Sequence, residues 1–460
     1  MNIQELSKQY AGRPQVQALA KAMGDVGVRH ISLEGLLGSS APMVFSAVAQ
    51  VCPATVLFIL QDAEEAGYFY HDLTQLMGTG GVLFFPSGYR RSVKYAQRDP
   101  ANEILRTEVL TGLSEELRVK SEEFATAMPS PKGTPEGNSS LLTLNSSLYI
   151  VSYPEAVAET VVSQRRLDSR TLTLTTGQTV STADIEKTLQ EFGFREVDYV
   201  YEPGQYALRG SILDVYSYSC EFPFRIDFFG DDIDSIRTFE VEDQLSRERR
   251  ERVDIVPDLA TEVGDRRSFL SFLPAGTLLC TRDFGFVADT IDRTYREGFS
   301  RQAVAERMEE AATEMEQREI EQQLRRECQL TNGAQFRADS ERFRQIHLSG
   351  SGAQGVTIRF KIKPQPLFHK NFDLLSQTLE DYLLQGYQLF ILADSQKQQE
   401  RLKDILSEEL RVKNLLPPCL HQKGLRKEIL HSSLFTLHSS SPSTRRCTKA
   451  LSTWTHGPAC

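Results

Sequence analysis

Two arginines near the middle of the chain are the side chains best suited to bind a partner. Arg209 stands just before a predicted strand that contains Asp214, and Arg195 follows a predicted helix. The planar guanidinium of arginine donates hydrogen bonds in a fixed fork that matches a carboxylate. Alternatively, these arginines could cap a strand end or form a weak ion pair with a surface carboxylate, because exposed arginines commonly have no special role. The residue types alone leave both interpretations open.

The elements around Arg209 are short and rich in Ile, Val, Phe, Tyr and Thr, which is typical of strands. Gly230, Asp231 and Asp232 supply a tight reversal, since glycine tolerates positive φ and Asp bonds the nearby backbone. A helical segment, 182–192, comes before them. We therefore predict a compact α+β module with an antiparallel sheet. Its predicted strands are 198–201, 211–216, 225–229 and 233–241.

A second motif lies near the N-terminus, where a predicted strand at 28–33 runs into a glycine-containing loop and then a helix. In a phosphate-binding loop of the form GxxxxGK[ST], backbone amides cradle the phosphates, lysine neutralises their charge and the hydroxyl holds magnesium. Here Ser40, Ala41 and Pro42 stand at the second glycine, the lysine and the hydroxyl. The loop glycines are Gly35 and Gly38. This degenerate P-loop predicts no bound cofactor and no catalytic residue; an ordinary glycine-containing turn is the alternative.

The remaining pattern predicts a layered α/β architecture. In the first 165 residues, short apolar runs of the kind buried in a parallel sheet alternate with helical segments. The expected strands are 28–33, 54–60, 81–85 and 148–152, and the expected helices are 42–50, 62–77 and 101–117. A Pro/Gly/Ser-rich insertion, 128–140, predicts a disordered loop. Later come strands at 277–281 and 356–363 around a charged helix, 301–329. Its charge pattern is typical of a solvent-exposed surface helix or of a surface that contacts a partner or another domain.

The composition limits which class of partner the chain can bind and in which cellular compartment it is expected. The net charge of −10 disfavours binding of DNA through phosphate contacts over most of the chain, so a protein partner with a basic surface fits better. The sequence contains no apolar run long enough for a membrane span and no secretory signal, which predicts a cytoplasmic protein without membrane contact. Its cysteines are scattered without paired spacing, which indicates reduced thiols and not a disulfide framework. Beyond Leu416 the His and Cys residues have irregular spacing, which favours disorder over a zinc or other metal site.

Taken together, several stretches closely resemble the N-terminal part of the bacterial transcription-repair coupling factors, relatives of the excision-repair helicase subunit UvrB. They are the loop at 35–42, YEPGQYALRGSILDVY (201–216), RIDFFGDDIDSIRTFEVEDQLS (225–246) and VDIVPDL (253–259). The resemblance implies a multidomain, UvrB-like α/β fold. Its parts would be domain 1a with the degenerate P-loop (1–154), the inserted α+β domain 2 (155–257), domain 1b (258–365), an incomplete domain 3 (366–415) and an atypical tail (416–460).

The resemblance also implies a function. In this family domain 2 recruits UvrA during transcription-coupled nucleotide excision repair, and the family's UvrA-contacting arginines fall on Arg195 and Arg209. Tyr89 and Tyr95 are too few for the aromatic hairpin with which UvrB clamps damaged DNA.

RNA polymerase and damaged DNA would be bound only through regions missing here, so we expect a truncated, non-enzymatic recruitment module. The change of composition near Leu416 suggests a shifted reading frame or a wrong gene end. The alternatives are the ATP-dependent DNA translocase activity of the full-length family, which ATP turnover by the purified chain would reveal, and an inactive fragment.

Overall fold

The computed structural model describes residues 3–88, 99–126, 147–260, 265–298, 330–349, 355–364 and 372–385, together with 397, 400 and 401. Several sequence predictions lie outside these residues: the loop at 128–140, the helix at 301–329, Tyr89 and Tyr95, most of the region after 385, and the tail from 416. Among the described helices, none combines the length and apolar character needed to cross a bilayer.

The described elements alternate between helix and strand. The helices are α1 (Ile3–Ala11), α2 (Pro14–Gly24), α3 (Ser40–Ala49), α4 (Ala63–Met77), a short 3-10 turn (Thr79–Gly81), α5 (Pro100–Thr126), α6 (Pro154–Ala158), α7 (Gln164–Ser169), α8 (Thr182–Glu191), α9 (Phe269–Phe272), α10 (Phe284–Gly298), α11 (Gly333–Ser340) and α12 (Phe372–Leu384). The strands are β1 (His30–Glu34), β2 (Thr55–Ile59), β3 (Val82–Phe84), β4 (Leu148–Ser152), β5 (Val161–Val162), β6 (Leu172–Thr175), β7 (Arg195–Glu196), β8 (Gln205–Arg209), β9 (Ile212–Val215), β10 (Phe224–Phe229), β11 (Asp232–Phe239), β12 (Ser246–Arg250), β13 (Arg252–Ile255), β14 (Arg266–Arg267), β15 (Leu278–Thr281), β16 (Arg344–His347) and β17 (Val356–Arg359).

A seven-stranded parallel sheet organises the first and last described parts of the chain. Its order is β17-β1-β16-β15-β2-β4-β3, and each neighbouring pair runs parallel. Every residue of β2 is buried, as expected for a strand covered on both faces. The predicted parallel α/β layer is confirmed, and β1 to β4 lie within two residues of the predicted positions.

A six-stranded sheet is formed by the segment between β4 and β15. Its order is β12-β11-β10-β9-β8-β7. All neighbours are antiparallel except β7 and β8. The turn at Gly230 forms as predicted, with a φ of 65° at this glycine. Two short antiparallel pairs, β5 with β14 and β6 with β13, join the ends of the segment.

The structure corrects three sequence predictions in this region. Arg209 precedes a strand, β9, as predicted, but it is also the last residue of a strand that was not predicted, β8. Residues 198–201 form an irregular loop instead of a strand, and the short strand β7 lies before it. The strands β5 to β8, β12 to β14 and, in the parallel sheet, β16 were missed. Strand β12 reads SRERR and has five exposed residues, so it carries none of the apolar alternation that signals a strand.

The two sheets have separate hydrophobic cores. One cluster of buried side chains packs around the parallel sheet and includes Phe45, Phe58 and Tyr149. A second cluster, drawn only from residues 174–255, includes Tyr206, Leu213 and Ile226. The chain is thus a multidomain α/β protein. The domain boundaries at 154, 257, 365 and 415 stay predictions.

Candidate partner-binding face

The six-stranded sheet has one apolar face and one face that carries charged side chains around a small buried cluster of Val200, Ala207 and Phe239. On the apolar face, α8 contributes Ile185 and Leu189 to the second core cluster. The hydroxyl of Tyr206 links this helix to the sheet, because it accepts a hydrogen bond from Gln190 Nε2 at 3.1 Å. With this face covered, the alternate residues of each strand point to the opposite side. We call that opposite side the polar face.

Charged side chains from neighbouring strands meet on the polar face. Strand register places Ala207 of β8 opposite Asp214 of β9, and Asp214 opposite Arg225 of β10. Arg225 lies opposite Arg237 of β11, which is opposite Arg249 of β12. Cross-strand neighbours on one face are close enough to interact. The face therefore carries a row of arginines with one fully buried carboxylate among them.

Asp214 is the centre of this row. Its side chain is 1% exposed, and it accepts hydrogen bonds from both Arg225 and Arg209. Arg225 donates from Nε to Oδ1 at 2.7 Å and from Nη2 to Oδ2 at 2.9 Å. This hydrogen bonding to Asp214 is the main reason that the pKa of Arg225 is raised. One negative charge thus lies between two guanidinium groups, which leaves this three-residue cluster with one net positive charge.

Arg209 is held at the edge of this network and still reaches solvent. Its Nη2 donates to Asp214 Oδ2, and its Nη1 donates to the backbone carbonyl of Asp198 at 3.4 Å. The guanidinium carbon lies 4.7 Å from the centre of the Tyr199 ring, as in a cation–π contact. The side chain remains 36% exposed. Arg209 is therefore positioned by its own chain while about a third of its side chain remains accessible to another molecule.

Arg195 is much less constrained. It belongs to β7, and its side chain is 70% exposed, with Glu202 Oε2 at 4.0 Å from Nη2. An ion pair of this kind between exposed groups contributes little to stability. Arg195 pairs with Gln205, so it faces the same side as Arg209, four residues further along β8. At the usual rise of a strand, the two Cα positions are offset by about 13 Å along the strand direction, on neighbouring strands. The structure places both predicted residues on the polar face without direct contact between them.

Sequence reasoning missed two exposed tyrosines between these arginines. Tyr199 and Tyr201 are 52% and 59% exposed, and both belong to the loop between β7 and β8. Gln205 fixes this loop, because its Oε1 accepts from the backbone N–H groups of Tyr201 at 2.9 Å and Glu202 at 3.1 Å. Aromatic residues beside arginines are common anchors of protein interfaces. The motif YVYEP was the available signal, but it was interpreted as a strand.

The loop at 35–42 is closed on itself. Gly35 has a φ of 82°, and a Cβ at this position would lie 2.1 Å from the carbonyl oxygen of Phe360. The N–H of Leu37 donates to Ser40 Oγ at 2.8 Å. In a phosphate-binding loop such backbone N–H groups donate to the phosphate oxygens, so this donor is not available for a phosphate. Gly38 also has positive φ, at 54°.

The residues at the lost lysine and hydroxyl positions lie inside the first turn of α3. Ala41 and Pro42 are buried. The helix begins at Ser40, so Pro42 is its third residue and not its first, as the sequence had suggested. That position still tolerates proline, because the first N–H groups of a helix have no partner within it. Loss of nucleotide chemistry at this loop stays a prediction.

Comparison with known proteins points to one family. A family model described as the UvrB interaction domain matches residues 172–260, the segment from β6 to just beyond β13. The transcription-repair-coupling factor of Escherichia coli is 40% identical over 91 residues, which cover 20% of this chain and 8% of that protein. The Bacillus subtilis protein of the same name is 26% identical over 231 residues, 50% of this chain and 17% of that protein. That of Myxococcus xanthus is 25% identical over 255 residues, 55% of this chain. The matched part spans less than a fifth of each relative.

Proposed function

We propose, from the premise that this chain is a relative of the transcription-repair coupling factors and carries their UvrB interaction domain, that it recruits UvrA to transcription-blocking DNA damage. In this proposal the chain resembles UvrB in the surface that it presents to UvrA. The contact is made by the polar face of the six-stranded sheet, with Arg209 and Arg195 as anchors. The chain acts as a binding module in nucleotide excision repair.

The position of Arg209 is the observation that carries the proposal. Its guanidinium is held by Asp214 and lies against Tyr199, yet the side chain keeps 36% of its surface exposed. A side chain that is already ordered loses less conformational entropy when a partner binds. Its planar fork can then donate to a carboxylate of the partner.

The electrostatics of the face support an acidic contact surface on UvrA. Arg209 and Arg225 share the single charge of Asp214, and Arg195 adds an exposed positive charge about 13 Å away along the strand. Complementary charges across an interface raise the association rate and select the partner. The net charge of the whole chain, −10, does not oppose this, because screening limits interactions between exposed charges to about 8–10 Å.

The experiment compares binding of the full 460-residue chain and its variants to purified UvrA. Arg209→Ala should weaken binding about tenfold or more, and Arg195→Ala about threefold, since Arg209 is partly buried and ordered whereas Arg195 is exposed. The matched control is Arg267→Ala, because the Arg267 side chain is 64% exposed and paired with Asp265, but it lies on β14 outside the polar face.

Each dissociation constant is measured at two salt concentrations. Removal of an interfacial charge should reduce the salt dependence of binding, whereas the control should keep it. Binding that is undiminished in the Arg195→Ala, Arg209→Ala double variant would refute the assignment of these residues.

A further inference from the structure

We infer that Asp214 is a positioning residue for the partner contact: it holds the guanidinium of Arg209 in its binding orientation, while Arg225 holds Asp214. This inference rests on the proposed function, because it assigns a role within the same face. It concerns a residue that is itself out of reach of any partner, since its side chain is 1% exposed. Asp214 therefore acts through Arg209 and not by contact.

Arg225 alone satisfies the buried carboxylate. Each oxygen of Asp214 receives one of its hydrogen bonds, at 2.7 and 2.9 Å. Two of the other three N–H groups of Arg225 are also used, since Nη1 and Nη2 reach the backbone and side-chain oxygens of Gln244, both at 3.2 Å. The guanidinium carbon lies 4.3 Å from the centre of the Phe239 ring. This arrangement is a complete ion pair without Arg209.

The second arginine on the carboxylate is consequently not needed to neutralise it. Burying charge is costly, and a sheet of this kind gains little stability from it compared with apolar residues of similar volume. What the shared carboxylate does achieve is geometric. Oδ2 of Asp214 accepts hydrogen bonds from the Nη2 groups of both Arg225 and Arg209. The rigid Asp214–Arg225 pair therefore fixes one side of the Arg209 guanidinium.

The other restraints on Arg209 are weaker. The hydrogen bond to the carbonyl of Asp198 is long, at 3.4 Å, and Tyr199 belongs to a loop and is itself 52% exposed. A long side chain with only these contacts would sample several rotamers and would have to be ordered on binding. Asp214 is the one buried, charged group among the described contacts of Arg209.

A double-mutant cycle on the full chain tests this inference. The four proteins are the wild type, Arg209→Ala, Asp214→Asn and the double variant, and the measurement is the dissociation constant for purified UvrA. Asp214→Asn should weaken binding about five- to tenfold in the wild type. In the Arg209→Ala background the same change should have no further effect beyond about twofold, because the residue through which it acts is gone.

The matched control is Asp254→Asn. Asp254 lies on β13, outside the six-stranded sheet, and its mostly buried carboxylate is paired with Arg252, but it has no described contact with Arg209. Its replacement should leave binding unchanged within about twofold. Binding stoichiometry is measured for every variant, because it reports the folded fraction and so separates weaker binding from partial unfolding.

A second variant, Asp214→Glu, keeps the charge and moves the carboxylate by one methylene. Weaker binding by this variant at full stoichiometry supports positioning, whereas unchanged binding would mean that only the charge matters and would overturn the inference. Equal losses from Asp214→Asn in both backgrounds would also overturn it, as would failure of both Asp214 variants to fold.

If Arg209→Ala alone leaves binding intact, the proposed anchor and this inference both fail. If Arg209→Ala weakens binding but Asp214→Asn does not, only the inference fails.

Discussion

Arg225 and Asp214 form a doubly hydrogen-bonded ion pair within the six-stranded sheet, with Nε–Oδ1 and Nη2–Oδ2 distances of 2.7 and 2.9 Å. The pair joins adjacent strands, β10 and β9, at directly opposed positions. Such a pair is weak support for stability when compared with apolar packing, but removal of one partner leaves a buried charge without its counterion. The two strands are thereby held in one register.

Arg225→Ala should lower the free energy of unfolding by about 2–3 kcal/mol, because Asp214 stays buried and loses the partner that satisfies both its oxygens. Urea unfolding of the full chain, followed by circular dichroism, measures this loss. Arg237→Ala is the matched control: Arg237 is also paired across strands, with Asp227, but the two side chains are 31% and 21% exposed. The control should cost about 1 kcal/mol or less. Equal losses would contradict the special role of the buried carboxylate.

Tyr199→Ala should weaken UvrA binding by about threefold, since removing the ring takes away the surface on which the Arg209 guanidinium rests. The melting temperature should change little, because the ring is half exposed. Tyr201→Ala provides the comparison, as Tyr201 belongs to the same loop and is similarly exposed, but its ring has no described contact with Arg209. If both substitutions weaken binding equally, the tyrosines contact the partner directly instead of acting through Arg209.

Gly35→Ala should destabilise the chain far more than Gly38→Ala. Both glycines have positive φ, but a Cβ on Gly35 would meet the backbone of Phe360 at 2.1 Å, whereas a Cβ on Gly38 would meet nothing within 4 Å. We expect a loss of about 1 kcal/mol for Gly38→Ala from its conformation alone, and at least about twice that for Gly35→Ala. Thermal unfolding of the two variants measures this difference. Similar melting temperatures would show that the loop does not pack against the backbone of Phe360, the residue that follows β17.

Acidification should destabilise the parallel sheet through His347. Burial, followed by the nearby His30, lowers the pKa of His347 from its usual 6.5, against an opposing effect of Asp283. The unfolded chain therefore takes up the proton first as the pH falls below about 6.5, so stability is present above that pH and decreases below it. The rings of His30 and His347 are stacked, with Nδ1 and Nε2 3.4 Å apart.

The test is urea unfolding of wild type and His347→Gln at about pH 7.5 and about pH 5.5. The wild type should lose more stability between the two pH values than His347→Gln does. His71→Gln, a change at an exposed histidine of α4, should behave like the wild type. An identical pH dependence of His347→Gln and wild type would assign the acid sensitivity to other groups.

Much of the fold was predictable because local patterns carry it. The buried strands of the parallel sheet are continuous apolar runs, and β4 was predicted to the residue. The N-terminal boundary of α4 is encoded by Asp62, whose side chain accepts from the backbone N–H of Glu65. By contrast, β12 is exposed and entirely charged or polar, and its pairing with β11 is what makes it a strand. The loop at 198–201 has strand-like residues but is curled by the buried side chain of Gln205.

By itself, the sequence determined the resemblance to the coupling factors, the multidomain α/β class and the two arginines that merit attention. Those follow from residue identity and short-range spacing. Only the tertiary structure decided that Arg209 is restrained while Arg195 is exposed with one long ion pair to Glu202, because exposure and partners depend on which strands become neighbours. It also turned Asp214 from a charged interruption of a strand into the buried link between Arg209 and Arg225. Hydrogen bonds across strands depend on register, and register is set by packing of the whole sheet.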